Sequence, residues 1–369
     1  MVVPSEAEVE RRRIIGVNAE TVTDVAATDF PHHYPYEDAS WSLAKFRKGL
    51  KVQFHKDEKY DSVFSLIGVD ASIANAFRRI LIAEIPTLAV EEVYIFNNTS
   101  IIQDEVLAHR LGLIPLTGNP EGFRWLQWFR KPDPEDPSSD SKASVPSDYN
   151  TIVLDLNITC SWSATGKARA KQGETDPNLL YTNSNVYAKD ITFSATGQQS
   201  RYFDPEDPEK RIRPVNPDIL IAKLRPGQEI RLRMHCIKGV GGDHAKFSPV
   251  ATASYRLLPS ITLTSPIRGA DARKFARCFP KGVIGLEADP ETGEAAAVVR
   301  DVMKDTVSRE CLRHDEFKDK VRLGRVRDHF IFSVESTGQM RSDELFVESV
   351  RILRAKAERF KSNLADVSR

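Results

Sequence analysis

Cysteine is scarce in this chain of 369 residues, and the four present, Cys160, Cys236, Cys278 and Cys311, stand far apart with no Cys-x-x-Cys pair. That spacing argues against a disulfide framework and against a cysteine-rich zinc site, and it fits a reducing compartment. An excess of either charge is also missing. Lysine plus arginine number 52 and aspartate plus glutamate 52, so overall charge gives no support for broad phosphate contact or for steering toward nucleic acid. No apolar run approaches the roughly 20 residues of a membrane span, and the opening MVVPSEAEVERRR has no apolar signal core. The expectation is a soluble intracellular protein without membrane contact. The Asn-x-Ser/Thr matches at Asn97, Asn98 and Asn157 then read as chance, because glycosylation needs secretion.

What is present is most concentrated in Val63–Leu116, where strand, amphipathic helix, strand and helix signals follow with almost no filler and with no nucleophile or metal-ligand constellation. Such a segment reads as built to bind another protein. Asp70 or Ser72 can cap a helix whose apolar positions Ile73, Phe77, Ile80 and Leu81 recur at three- and four-residue spacing, with Asn75, Arg78 and Arg79 on the other side. Pro86 cannot sit inside a helix, so the helix ends before it, and a strand at Val90–Phe96 follows.

The length allows two or three domains. Residues 1 to 60 read as an extended arm with a few anchoring points, or as a partly disordered tail. Lys131–Ser147, KPDPEDPSSDSKASVPS, reads as a flexible surface insertion. Thr151–Trp162 alternates, with Ile152, Leu154, Leu156, Ile158, Cys160 and Trp162 on one face, and Ile230, Leu232, Met234 and Cys236 alternate against Arg231, Arg233 and His235. Both predict half-buried antiparallel strands. From Pro266 to Leu323 the signals run helix (Ala270–Cys278), hairpin (Val283–Val299) and helix (Ser308–Lys318). After a strand at His329–Val334, Ser342 can cap a long terminal helix with Asp343 and Glu344 in its first turn. Its apolar residues Phe346, Val350, Leu353, Ala357, Phe360 and Leu364 are spaced 4, 3, 4, 3, 4, the seam of helix-on-helix packing.

Pattern leaves the role of both helices open. The first is either an ordinary core helix or one that also packs across a subunit boundary, and the terminal seam either closes over its own domain or zips onto a partner. Arg78 and Arg79 are either a solvated face or a fork for a partner's carboxylate. Gly239-Val-Gly241-Gly242 lacks the spacing of a phosphate-binding loop and reads as a tight turn. His244, Lys246 and Ser248 are adjacent in sequence without forming a triad, and His32 and His33 beside Asp29 lack further spaced ligands. An enzyme using the glycine loop and His244, and a DNA reader using Arg231 and Arg233, are the competing classes.

Three long segments carry a resemblance: DASIANAFRRILIAEIPTLAVEEVYIFNNTSIIQDEVLAHRLGLIPL, GGDHAKFSPVATASYRLLPSI and RVRDHFIFSVESTGQMRSDELFVESVRIL. They resemble the alpha-like subunits of multisubunit DNA-dependent RNA polymerases, the family that takes in the archaeal alpha-like subunits and the bacterial alpha N-terminal domain. DFPHHYPYED, RCFPKGVIGLE and KDTVSREC are most similar to the larger alpha-like subunits shared by eukaryotic polymerases I and III. The resemblance spans roughly residues 12 to 365.

It implies an α+β fold. An N-terminal arm (1–49) would precede a dimerisation domain of antiparallel sheet and long helices split between 50–96 and 324–369, with a mostly β insert (97–265) and a small ferredoxin-like unit (266–323). It implies a non-catalytic assembly scaffold in the nucleus, including the nucleolus, for synthesis of rRNA precursor, 5S rRNA and tRNA. The partners would be the smaller alpha-like subunit of the same polymerases, their second-largest subunits and small zinc-binding subunits, with DNA reached only through the complex. Ile73, Phe77, Ile80, Leu81 and the seam Phe346, Val350, Leu353, Ala357, Phe360, Leu364 would serve the interface, and Arg78 and Arg79 would meet the second-largest subunit. The equivalent polymerase II subunit holds zinc with a tight cysteine cluster, which Phe123–Tyr149 lacks, and some archaeal relatives hold an iron–sulfur cluster, for which Pro266–Leu323 offers only two cysteines. No catalytic residue, metal or cofactor is expected.

Overall fold

The structure, a computed structural model, describes residues 5, 8, 12–25, 40–130, 145–289 and 293–367. In chain order its main elements are β1 (Ile14–Val17), β2 (Val22–Thr23), α1 (Leu43–Gly49), β3 (Lys51–Asp57), β4 (Asp61–Ile67), α2 (Ala71–Ala83), β5 (Pro86–Asn98) and α3 (Asp104–Gly112). Then come β6 (Ile152–Thr159), β7 (Thr192–Phe193), β8 (Glu229–Val240), β9 (Val250–Leu263), α4 (Gly269–Arg277), β10 (Ile284–Ala288), β11 (Ala295–Val299), β12 (Val321–Ser336) and α5 (Ser342–Val367). The architecture is α+β with antiparallel sheets. The expected insertion falls outside the described residues except at 145–147, as do His32, His33 and Asp29.

The chain forms two compact units, one from residues 1–56, 62–76 and 254–333, the other from 57–61, 77–253 and 334–369. The first carries a six-stranded sheet in the order β2-β1-β12-β4-β3, with β9 also pairing β12. The stretch expected as an arm is thus anchored by pairing: β1 runs antiparallel to β12 with Ile14 opposite Val326, and Arg13 reaches Asp328 at 2.9 Å. Phe64 stacks on Phe332 with ring centroids 5.2 Å apart. Beside the sheet, α4 and the β10–β11 hairpin enclose a core in which Phe275 meets Phe279 and Phe317 edge to face.

The helix expected at Ser308–Lys318 is not formed. Val307 and Arg309 take left-handed backbone angles (φ 57° and 59°) and His314 is extended, so only short turns at Glu310–Arg313 and Asp315–Lys318 remain. Left-handed residues cannot continue a right-handed helix.

The second unit is built on a four-stranded sheet in the order β7-β6-β8-β5. The expected alternation appears directly: Ile230, Leu232, Met234 and Cys236 are buried, their neighbours Arg231 and Arg233 exposed, and Ile152, Leu154 and Leu156 oppose them from β6. Leu107 and Leu111 of α3 close the same core. The expected run breaks at its end, where the Cys160 backbone N–H turns to the Gln228 carbonyl and Trp162 lies exposed in a separate short strand. β5 begins at Pro86 itself, a strand position that tolerates a missing N–H.

Candidate subunit interface

The helix α2 starts where the sequence placed it, and of the two proposed caps Asp70 does the work: its side chain accepts from the Ser72 N–H at 2.8 Å. Ala74, Phe77, Ile80 and Leu81 are buried, Ile73 and Arg78 half-buried, and Arg79 exposed. The far end is closed by the glycine-rich loop. The Gly242 N–H donates to the Ala83 carbonyl at 2.9 Å, and a Cβ on Gly241 would stand 2.2 Å from the Ile82 carbonyl oxygen, so only glycine lets the loop approach. Gly239 likewise makes room for the Phe247 ring.

This loop is a clasp on a helix end and does not cradle phosphate. The residues after it hold the clasp shut. Lys246 is half-buried, and its ammonium donates to the Val90 carbonyl at 2.7 Å and to the Glu91 carboxylate at 2.5 Å, while Thr87 donates to the Phe247 carbonyl at 2.5 Å. His244 spends its Nδ1 accepting from the Lys246 backbone N–H at 3.1 Å, so no catalytic triad forms there.

α5 has two unlike halves. In the first, Leu345, Phe346 and Ser349 are buried, and Phe346 meets Phe77 edge to face at 5.4 Å. The Ser342 hydroxyl donates to the Glu58 carbonyl at 2.9 Å, and Arg341 holds Asp343 at 3.1 Å. One turn past the half-buried Leu353, Lys356 reaches both carboxylate oxygens of Glu84 at 2.7 Å. From Arg354 to Asp366 every residue is exposed. The seam therefore splits: Phe346 faces the chain's own core, whereas Val350 (42% exposed), Ala357, Phe360 (66%) and Leu364 face outward. The structure brings Phe77 and Phe346 together and leaves Val350, Ala357, Phe360 and Leu364 on the surface.

The other candidate chemistries are accounted for. Arg233 is held by Asp155 at 2.9 Å, and Arg231 lies over the Phe96 ring. Cys278 and Cys311 share the core around α4, and burial pushes both thiols up, Cys311 to about 12 with the charge of Cys278 adding to the effect. An iron–sulfur cluster takes four thiolates, so two buried, reluctant thiols do not fit one. Among the described residues no group of three histidine, cysteine or acidic side chains is arranged to hold a metal ion.

The sequence has counterparts in known proteins. Residues 63–357 match the RNA polymerase Rpb3/Rpb11 dimerisation domain, and the chain belongs to that family. The DNA-directed RNA polymerases I and III subunit RPAC1 of Saccharomyces cerevisiae is 51% identical over 349 residues, 95% of this chain and 98% of that protein. The same-named subunit of Homo sapiens is 46% identical over 361 residues, covering 98% and 97%. The polymerase II subunit rpb3 of Dictyostelium discoideum is 30% identical over 317 residues, covering 84% and 93%. Within its family the chain is accordingly an alpha-like subunit of RNA polymerases I and III. It is a structural subunit, and the catalytic subunits are other chains.

Proposed function

We propose that this chain pairs with the smaller alpha-like subunit shared by polymerases I and III, and that the pair is the platform on which the second-largest subunit is anchored. The observation that carries the reading is the outward half of α5: an apolar stripe through Val350 and Phe360 on a helix whose first half is already committed to the chain's own core. A large apolar stripe in water is unfavourable, and a second helix with the same spacing removes it. The dimerisation domain would assemble from residues 50–96 and 324–369 around the insert, and an obligate interface of this kind buries roughly 2,000 Å² or more.

In this reading Phe77, Ile80, Leu81 and Phe346 act from inside, fixing the angle at which α5 leaves the body. Ile73, Val350, Leu353, Ala357, Phe360 and Leu364 meet the partner, and Arg78 and Arg79 face the second-largest subunit. Small zinc-binding subunits join the same platform, and the assembly works in the nucleus, including the nucleolus, on rRNA precursor, 5S rRNA and tRNA genes. Leu353→Asp tests the pairing, because a carboxylate desolvated in an apolar seam is strongly unfavourable. Co-expression with the smaller subunit should then give no heterodimer on size exclusion, and an unchanged yield would refute the proposal.

A further inference from the structure

The balance of charge over the whole chain conceals one region that is not balanced. From Leu43 to Lys56, LAKFRKGLKVQFHK, there is no acidic residue and there are five lysines and arginines. Lys45, Arg47, Lys48 and Lys51 are exposed and form no ion pair among the described residues. Elsewhere in the molecule basic side chains commonly find a carboxylate, as Arg13, Arg233, Lys246, Lys274 and Lys356 do. Arg47 and Lys48 sit in the last turn of α1, where the helix dipole accounts for part of their placement. It does not account for Lys45 or Lys51.

The same region also exposes aromatic and apolar side chains. Trp41 is 75% exposed with its ring 6.4 Å from Phe46, and Phe54 is 43% exposed on β3, the last strand of its sheet among the described residues. α1 ends against the turn at Gly68, where a Cβ would stand 2.3 Å from the Gly49 carbonyl oxygen, and Phe54 is backed by Phe64 at 5.3 Å. Unpaired cations beside exposed aromatic faces on a fixed scaffold are what a single nucleic-acid strand recognises: the cations follow the phosphates and the rings stack on bases.

We propose that α1 and β3, with Trp41, form a binding surface for single-stranded nucleic acid. An anionic membrane could also meet the cations and the indole, and the vesicle arm below makes it an outcome of the test. Contact of this kind departs from the expectation that the chain reaches nucleic acid only through the complex.

Fluorescence anisotropy on the full chain tests this with labelled 20-nucleotide RNA, DNA of the same sequence, the corresponding duplex, and anionic vesicles as separate arms. Four phosphate contacts on a single strand give a slope of log K against log salt of about −3. The single-strand arms should bind, and Lys45→Glu with Lys48→Glu should weaken them at least tenfold. Trp41→Ala should weaken the single strands about tenfold and leave the duplex unchanged, as loss of one stacked base predicts. The relative strength of the RNA and DNA arms then separates RNA from unpaired DNA as the preferred strand. These side chains are exposed, so an unchanged urea midpoint verifies that each variant is folded. No single-strand binding, binding indifferent to Trp41→Ala, or preference for duplex or vesicles would overturn the proposal.

Discussion

The two halves of α5 have the same spacing of apolar residues and opposite surroundings. Phe346 is packed on Phe77 inside the body, and Phe360, fourteen positions on and in phase with it, stands in water. The stripe is continuous in sequence, but its coverage is not. A heptad pattern therefore says that something must cover the stripe and is silent on whether the cover is in the same chain. The ion pair between Lys356 and Glu84 marks the boundary.

The contrast is broken or sharpened by substitution along the helix. Phe346→Ala should have the largest effect, a loss of about 3 to 5 kcal/mol in urea unfolding of the chain, because it opens a cavity against Phe77. Should Phe346→Ala prove nearly neutral, the first half of α5 would be as superficial as the second.

A smaller effect is expected from acid at the start of the helix. Burial works to raise the Asp343 carboxyl, but the hydrogen bonds from Arg341 and the Glu344 backbone N–H outweigh it, so its pKa lies below the ordinary carboxylate value. The unfolded chain then binds the proton more readily than the folded one. The stabilisation is complete above the ordinary value of about 4 and is lost as pH falls through the lowered folded value. Asp343→Asn should accordingly flatten the acid side of a stability–pH profile, and an unaltered profile would show that the contact contributes nothing.

The smallest effects belong to the exposed half. Phe360→Ala should change the chain's own urea midpoint by less than about 0.5 kcal/mol, and the same substitution should weaken heterodimer formation. Lys356→Ala removes a half-exposed ion pair worth about 0 to 1 kcal/mol. A Phe360→Ala variant as destabilised as Phe346→Ala would mean that the chain covers its own stripe in solution.

Much of the fold was legible because burial follows the side-chain period. The two alternations centred on Leu154 and Leu232, the helix from Asp70 to the stop before Pro86, α4 and the hairpin after it all lie where period and punctuation place them. The misses have local causes. Nothing in KDTVSRECLRHDEFK announces that Val307 and Arg309 will turn left-handed, since neither is a residue that favours that conformation. β12 is 16 residues long, whereas only His329–Val334 reads as apolar; its first half is interleaved with arginines and is a strand because β1 pairs with it. β9 is hidden in the sequence for a similar reason, with Pro259 inside it.

For the candidate interface residues the sequence does not state the division into buried and exposed, because that division depends on where the loop Gly239–Gly242 and the hairpin at Glu58 meet the helices. The role of that loop was invisible in sequence for the same reason. A run of glycines states that backbone will come close to something, and only the fold states that the something is Ile82.

The pairing of β1 with β12 bears on how fast the molecule can form. Arg13 and Asp328, which flank that pairing, are 315 residues apart in sequence. The inner part of the first sheet therefore cannot close until nearly the whole chain is available, and the closure is opposed by the entropy of a very long loop. Contacts of this separation put folding at the slow end of the range, in milliseconds to seconds or longer, with strand edges open in the meantime. For a chain that carries an apolar stripe on α5, that interval is when association with the wrong neighbour competes with folding, and early capture by the right one has a kinetic value beyond the stability it adds.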